Sequence, residues 1–198
     1  MITAQERTDF LSATAYAQKK MMGMGEIIPA ATLTTYDQRR RNLIKESARI
    51  DLKLKKLYEL LDDYVSHVSH ITPCHKGCSA CCHEQVIVFE IEADYIQKNT
   101  DHKKIASDLL QITTKAMGAH TPCPFLQGGA CSIYQFRPLA CRNHVSILES
   151  SSLCDFKYWN EGLIYPKTSA EILLKAGKEL QSQQKRYGSA DIRDYFGW

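Results

Sequence analysis

Residues 74–82 read Cys-His-Lys-Gly-Cys-Ser-Ala-Cys-Cys, so four of the eight cysteines fall within nine residues at C-x3-C-x2-C-C spacing. Thiolates two or three residues apart on a turning backbone can converge on one metal centre, and Gly77 supplies the backbone freedom such a turn needs. A soft sulfur donor set selects zinc, an iron–sulfur cluster or Cu(I) over hard cations. Of the four, Cys78 and Cys81 form the tightest chelate, with Cys74 four positions before Cys78. Side chains of neighbouring residues usually diverge, so Cys81 and Cys82 are expected to serve two centres, or one centre and the core.

The other cysteines, Cys123, Cys131, Cys141 and Cys154, stand singly on separate turns. Such ligands form a site only when the fold gathers them, as in iron–sulfur proteins whose last cysteine comes from a distant segment. Zinc sites favour paired C-x2-C knuckles, so this scatter tilts the expectation toward iron–sulfur. Eight thiols divide into two four-ligand sites, or one site with bystanders. His75, His83 and His144 each sit within three residues of a cysteine and could replace a thiolate at zinc; a hydrogen-bonded or solvent-facing histidine is the plainer reading. Arg137 and Arg142 bracket Cys141. From there a guanidinium could offset the charge of a thiolate cluster, or simply hold a carboxylate of the fold.

The elements that must position these residues are mostly helical. Leu43, Ser47, Ile50, Leu54, Leu57, Leu61, Tyr64, Val68 and Ile71 step by four and three, which predicts one long helix over 37–71, stopped by Pro73. It is expected to pack on its own domain, with a protein partner along its face as the sharper alternative. Its first half is basic (Arg39, Arg40, Arg41, Lys45, Arg49, Lys53, Lys55, Lys56), read as a solvated face rather than a nucleic-acid site. Residues 1–36 carry weaker signals, broken by glycines and Pro29, and are expected to form an arm with a short helix at most. Beyond the first cysteine knot, 85–91 is β-prone, 92–97 a short helix, and 100–117 a further helix ending at Gly118. A short helix starts at Pro138. The last long helix is expected over 170–187, followed by an aromatic tail (Tyr195, Phe196, Trp198) docked on the core.

The fold class predicted is therefore mainly α with a small β element: a single metal-centred domain over 37–198, with its motif core at 72–154 and a long N-terminal helix. The chain has 198 residues, 44% hydrophobic and 24% charged, with a net charge of +3. That balance is ordinary for a globular domain and too weakly basic to argue for nucleic acid. No run approaches the ~20 apolar residues of a membrane helix. Glu6, Arg7 and Asp9 interrupt the first residues as they would not interrupt a signal peptide, so a reducing cytoplasm and free thiols are expected.

Taken in order, Cys74-x3-Cys78-Ser-Ala-Cys81-Cys82, Cys123-Pro-Phe-Leu, Cys131-Ser-Ile-Tyr, Arg137-Pro138 and Cys141-Arg142 resemble the YkgJ-type cysteine-cluster family, over roughly residues 72–145. These are bacterial proteins described as zinc- or iron-chelating, and the cysteine-rich part of flagellin lysine N-methylase is similar. The resemblance implies a cytoplasmic binder of zinc or an iron–sulfur cluster, its downstream role unassigned. Cys154 lies beyond that stretch. Two other classes compete. One is a structural zinc or interaction module. The other is an S-adenosylmethionine-dependent protein lysine methylase-like enzyme, for which the C-x3-C-x2-C spacing speaks and the absence of an alternating βα pattern speaks against. No catalytic residue is identified.

Overall fold

Helical periodicity builds most of the framework. In the computed structural model, which describes residues 1–106, 121–184 and 188–197, the helices are α1 (Ala4–Met22), α2 (Met24–Ile27), α3 (Ala30–Lys45), α4 (Ile50–Ser66), α5 (Glu90–Asn99), α6 (Leu139–Asn143), α7 (Phe156–Trp159), α8 (Glu171–Ser182) and α9 (Ile192–Phe196). Among the described residues, strands form short antiparallel pairs. β1 (Ile87–Phe89) pairs with β6 (Ser189–Asp191), β2 (Leu126–Gln127) with β3 (Ala130–Cys131), and β4 (Val145–Ser146) with β5 (Lys167–Thr168). The mainly α class with a little β and a long N-terminal helix agrees with the sequence pattern. None of the described helices is long and apolar enough to cross a membrane.

The single helix expected over 37–71 is corrected: it is α3 and α4, broken at 46–49. The break has a physical cause. Lys53 is buried, and its Nζ donates to the carbonyl of Ile44 at 2.9 Å and to Gln183 at 3.2 Å. A lysine thereby caps the carbonyl end of α3, where the helix dipole favours a cation. Six of the eight basic residues of this segment meet carboxylates: Arg39, Arg40, Arg41, Arg49, Lys55 and Lys56. The folded-back α3–α4 pair packs its apolar face on α8 and α6, with Leu43, Leu54, Leu57, Leu61, Leu139, Leu173, Ala176 and Leu180 as the main core. Gly177 lets α8 approach closely. A Cβ there would stand 2.6 Å from Leu139 Cδ1 and 2.7 Å from Phe89 Cε2.

The N-terminal segment also corrects the expectation of a short helix at most. Thr3 and Glu6 make a reciprocal capping box that starts α1, and Phe10, Ala13 and Ala17 form its buried stripe. Phe10 stacks on Tyr158 at 4.7 Å within a second cluster that includes Ile147, Leu148, Trp159 and Tyr165. Residues 101–106 are irregular rather than the start of a helix, and the rest of the helix expected over 100–117 lies outside the described residues. The last long helix is shorter than expected, ending at Ser182. Docking of the tail holds for Tyr195, fully buried, and for Phe196, whose ring lies 5.0 Å from Phe125; Trp198 lies outside the described residues.

Candidate metal centre

The first cysteine knot is a loop rather than an extension of α4. Gly77 takes φ +96°, the left-handed turn expected of it, and Ala80–His83 closes into a 3₁₀ turn. Cys123 is tied to that turn by its own N–H, which donates to the carbonyl of Cys82 at 2.7 Å. Gly128 and Gly129, both at positive φ, make the two-residue loop of the β2–β3 hairpin, which brings Cys131 back toward Cys123. Cys141 stands on α6, whose first N–H, that of Leu139, donates to Glu92 at 2.7 Å. Glu92 is buried, accepts also from Tyr58 and from the N–H of Phe89, and burial raises its carboxyl above the ordinary range.

These devices gather Cys78, Cys81, Cys82, Cys123, Cys131 and Cys141 around one cavity of about 80 Å3, floored by Val86, Phe125, Ile133 and Ile192. That is well above the roughly 10–15 Å3 a single water needs. Cys74, which is exposed, and Cys154, which is buried, do not line it. The expectation that Cys81 and Cys82 diverge is corrected. The 3₁₀ turn turns both toward the same cavity, and their side chains hydrogen-bond to each other. All eight cysteines are free thiols.

Burial pushes the Cys123 thiol up to about 11 and raises Cys78, Cys131 and Cys141 as well. The hydrogen bond to Cys82, followed by burial, raises Cys81. Without a cation these are neutral thiols, and a metal must displace their protons. Among the described residues no three Cys, His, Asp or Glu side chains are already gathered tightly enough to hold one ion, so loading requires the thiols to ionise and draw inward.

The two arginines share Asp62, which Arg137 reaches at 3.8 Å, and otherwise differ. Arg142 is buried under Tyr58, its guanidinium 4.4 Å from the ring, and it donates to the carbonyls of Arg137 and Gln135 and pairs with Asp62. It holds the fold. Arg137 lines the cavity, stacked 4.1 Å over Tyr134, and its buried Nε has no hydrogen-bond partner among the described residues. Its charge lowers the Cys131 and Cys141 thiols against the larger effect of burial. An unsatisfied buried donor beside clustered thiols fits an anionic thiolate centre, which supplies the missing acceptor.

Of the histidines, His144 bonds Tyr165 at 3.0 Å and Glu84 at 3.1 Å, and His75 bonds the carbonyl of Pro73 at 2.8 Å. The Nδ1 of His83 is buried without a hydrogen-bond partner among the described residues. Glu84 also pairs with Lys167 at 2.7 Å; burial pushes its carboxyl up, and the His144 and Lys167 contacts more than reverse that.

Sequence reasoning missed Arg193. It is 2% exposed and donates to the carbonyls of Cys82 at 3.0 Å, Glu84 at 3.1 Å and Thr121 at 3.1 Å, while pairing with Asp191 at 3.0 Å. Asp191 in turn accepts from the N–H of Val86 at 2.9 Å. One C-terminal side chain thus fixes both knots. A lone arginine in a short aromatic tail carries no periodic signal, so nothing in the sequence marks it.

Residues 73–160 match the CxxCxxCC family, described as a "putative zinc- or iron-chelating domain". The match bears out the cysteine-cluster resemblance, and it reaches past 145 to include Cys154 with the other seven cysteines. No curated protein and no solved structure matches the chain.

Proposed function

We propose that this metal-binding domain holds an iron–sulfur cluster in the thiol-lined cavity, with Cys81, Cys123, Cys131 and Cys141 as its ligands and Cys82 beside them. The observation that carries the reading is the convergence of six thiols, from the motif turn, the segment at Cys123, the hairpin and α6, on one small cavity with an apolar floor. Ligands that arrive singly from separate segments suit a multi-iron core better than one tetrahedral ion. Arg137 supports it, because a cluster held by four thiolates carries excess negative charge. Free thiols throughout support work in a reducing cytoplasm.

When bound, the cluster would supply one-electron chemistry. The chain's own contribution is to hold the thiols, exclude water with Val86, Phe125, Ile133 and Ile192, and present Arg137 to the bound charge. The test is purification without oxygen, followed by iron, sulfide and zinc analysis. Brown protein with iron and sulfide in proportion, bleached by Cys131→Ser, is the expected result. Colourless protein carrying stoichiometric zinc and no iron would replace the cluster by a closed zinc site on the same thiols.

A further inference from the structure

We infer that the mouth of the thiol-lined cavity is a docking surface for an acidic one-electron carrier protein, with Lys76, Tyr134 and Arg137 as its contact face. The inference rests on the cluster reading above and names the partner of that same site. A recessed cluster trades electrons with a second protein that can close over its mouth. Gly77, in the motif turn, is an exposed member of the cavity lining, and the Tyr134 ring in the same wall stands beside that turn. Lys76 Nζ lies 6.0 Å from the centre of the Tyr134 ring, and the Arg137 guanidinium lies 4.1 Å from it. One half-buried aromatic ring thus carries two cations at the cavity's edge.

The carboxylates nearby are already taken. Lys76 is exposed and makes no ion pair among the described residues. Arg137 reaches Asp62 at 3.8 Å, and Arg142 pairs with that same carboxylate. Glu84, the acid among the residues lining the cavity, is answered by Lys167 at 2.7 Å. The basic stretch of α3 and α4 is the opposite case, since six of its eight cations face carboxylates of the chain itself. Arg137, whose side chain is 24% exposed, answers the charge inside the cavity, and the exposed Lys76 is left to the partner. Uncompensated positive charge around a recessed site focuses its field outward and draws in a negative surface. Electron-transfer encounters are small and weak, so steering rather than buried area sets their rate. In the encounter one electron leaves the carrier's reduced cofactor and enters the cluster. The carrier is oxidised, the cluster is reduced, and no bond forms or breaks.

Anaerobic full-length protein is assayed first for iron and sulfide and for bleaching by dithionite, which needs no docking, so the cluster reading is judged on its own. Reduced flavodoxin, an acidic one-electron carrier, is then mixed with it in stopped flow. The second-order rate should fall about tenfold between about 10 mM and about 300 mM salt, as screening shortens the reach of the rim charges. Lys76→Glu should lower the low-salt rate by a similar factor. Lys19→Glu, on α1, which does not line the cavity, should leave the rate unchanged, and dithionite should bleach all three proteins alike. A carrier that does not react, or reacts at a rate indifferent to salt and to Lys76→Glu, while dithionite bleaches the cluster, overturns the docking surface and leaves the cluster standing. An equal drop in Lys19→Glu also overturns it, since net charge rather than this rim would then set the rate. Colourless protein with zinc and no iron sinks the cluster reading, and this inference with it.

Discussion

The α3–α4–α8 layer and the cysteine loops are held together by different forces. Leu57, Leu61, Leu173 and Leu180 are fully buried, and the layer is a continuous apolar core into which few polar side chains reach, among them Lys53, Tyr58 and Gln181. The loops have little repetitive structure and are instead pinned by side chains that reach into their backbone. Arg193 takes three loop carbonyls, Glu92 takes the N–H of Leu139, and Asn143 Oδ1 takes the N–H of Ala170 at 2.7 Å. Burial is non-directional and tolerates variation in shape, while these hydrogen bonds fix position. A region that must place thiols is therefore built with the directional force, on a support built with the tolerant one.

Stripping the metal is the strongest way to break this contrast. Structural zinc carries about 10–16 kcal/mol of apparent binding free energy, so a reduced, chelated sample should lose hydrogen-exchange protection across 73–160. The α3–α4–α8 layer should keep its protection. Uniform loosening of both regions would show that they are not energetically distinct.

Two substitutions sharpen it. Arg193→Ala leaves Asp191 as an unpaired buried charge, at a cost of about 3–5 kcal/mol, and should release the Cys82–Thr121–Val86 junction so that metal is lost at lower chelator concentration. Leu57→Ala costs about 2–5 kcal/mol through a core cavity, yet should leave the metal content of the folded protein unchanged. Equal chelator sensitivity in the two variants would contradict the division.

The smallest effect lies at the α1–α7 edge, where Lys157 bonds Glu6 at 2.7 Å. That bond, with the Thr3 cap, lowers the Glu6 carboxyl from 4.5 to about 2. A depressed carboxyl contributes stability above its unfolded value, and the contribution fades as pH falls from about 4.5 to about 2. Glu6→Gln should slightly lower the melting temperature at neutral pH, with the difference from wild type closing through that window. Salt should shrink the difference, because the pair is exposed.

Much of this was legible in the cysteines. Their order and spacing announce a metal domain, and Gly77 its turn. The spacing could not say which thiols share a centre, because that depends on the direction of the 3₁₀ turn at Ala80–His83, which turns Cys81 and Cys82 together. The face of α4 was readable from period alone, but the break at 46–49 was not. Ser47 fell on the apolar face and the pattern ran on past it, while the signal that mattered was a lysine at the fourth position of the next helix, reaching back to Ile44. The capping box at Thr3–Glu6 is present in the sequence, but the glycines at 23 and 25 interrupt the period that follows it. Arg193 acts through carbonyls, which leave no trace in residue type.

Gly177 ties the two regions together in a way that gives the molecule an adjustable dimension. It sits in the tolerant layer, yet the atoms a Cβ would strike belong to Phe89 and to Leu139, two residues before Cys141 on the same short helix. A side chain at 177 has to displace the end of the Leu139 side chain and the Phe89 ring, at the base of the short helix that carries Cys141, while touching no ligand. Position 177 thus governs how closely α8 lies against the helix of Cys141 without itself lining the cavity.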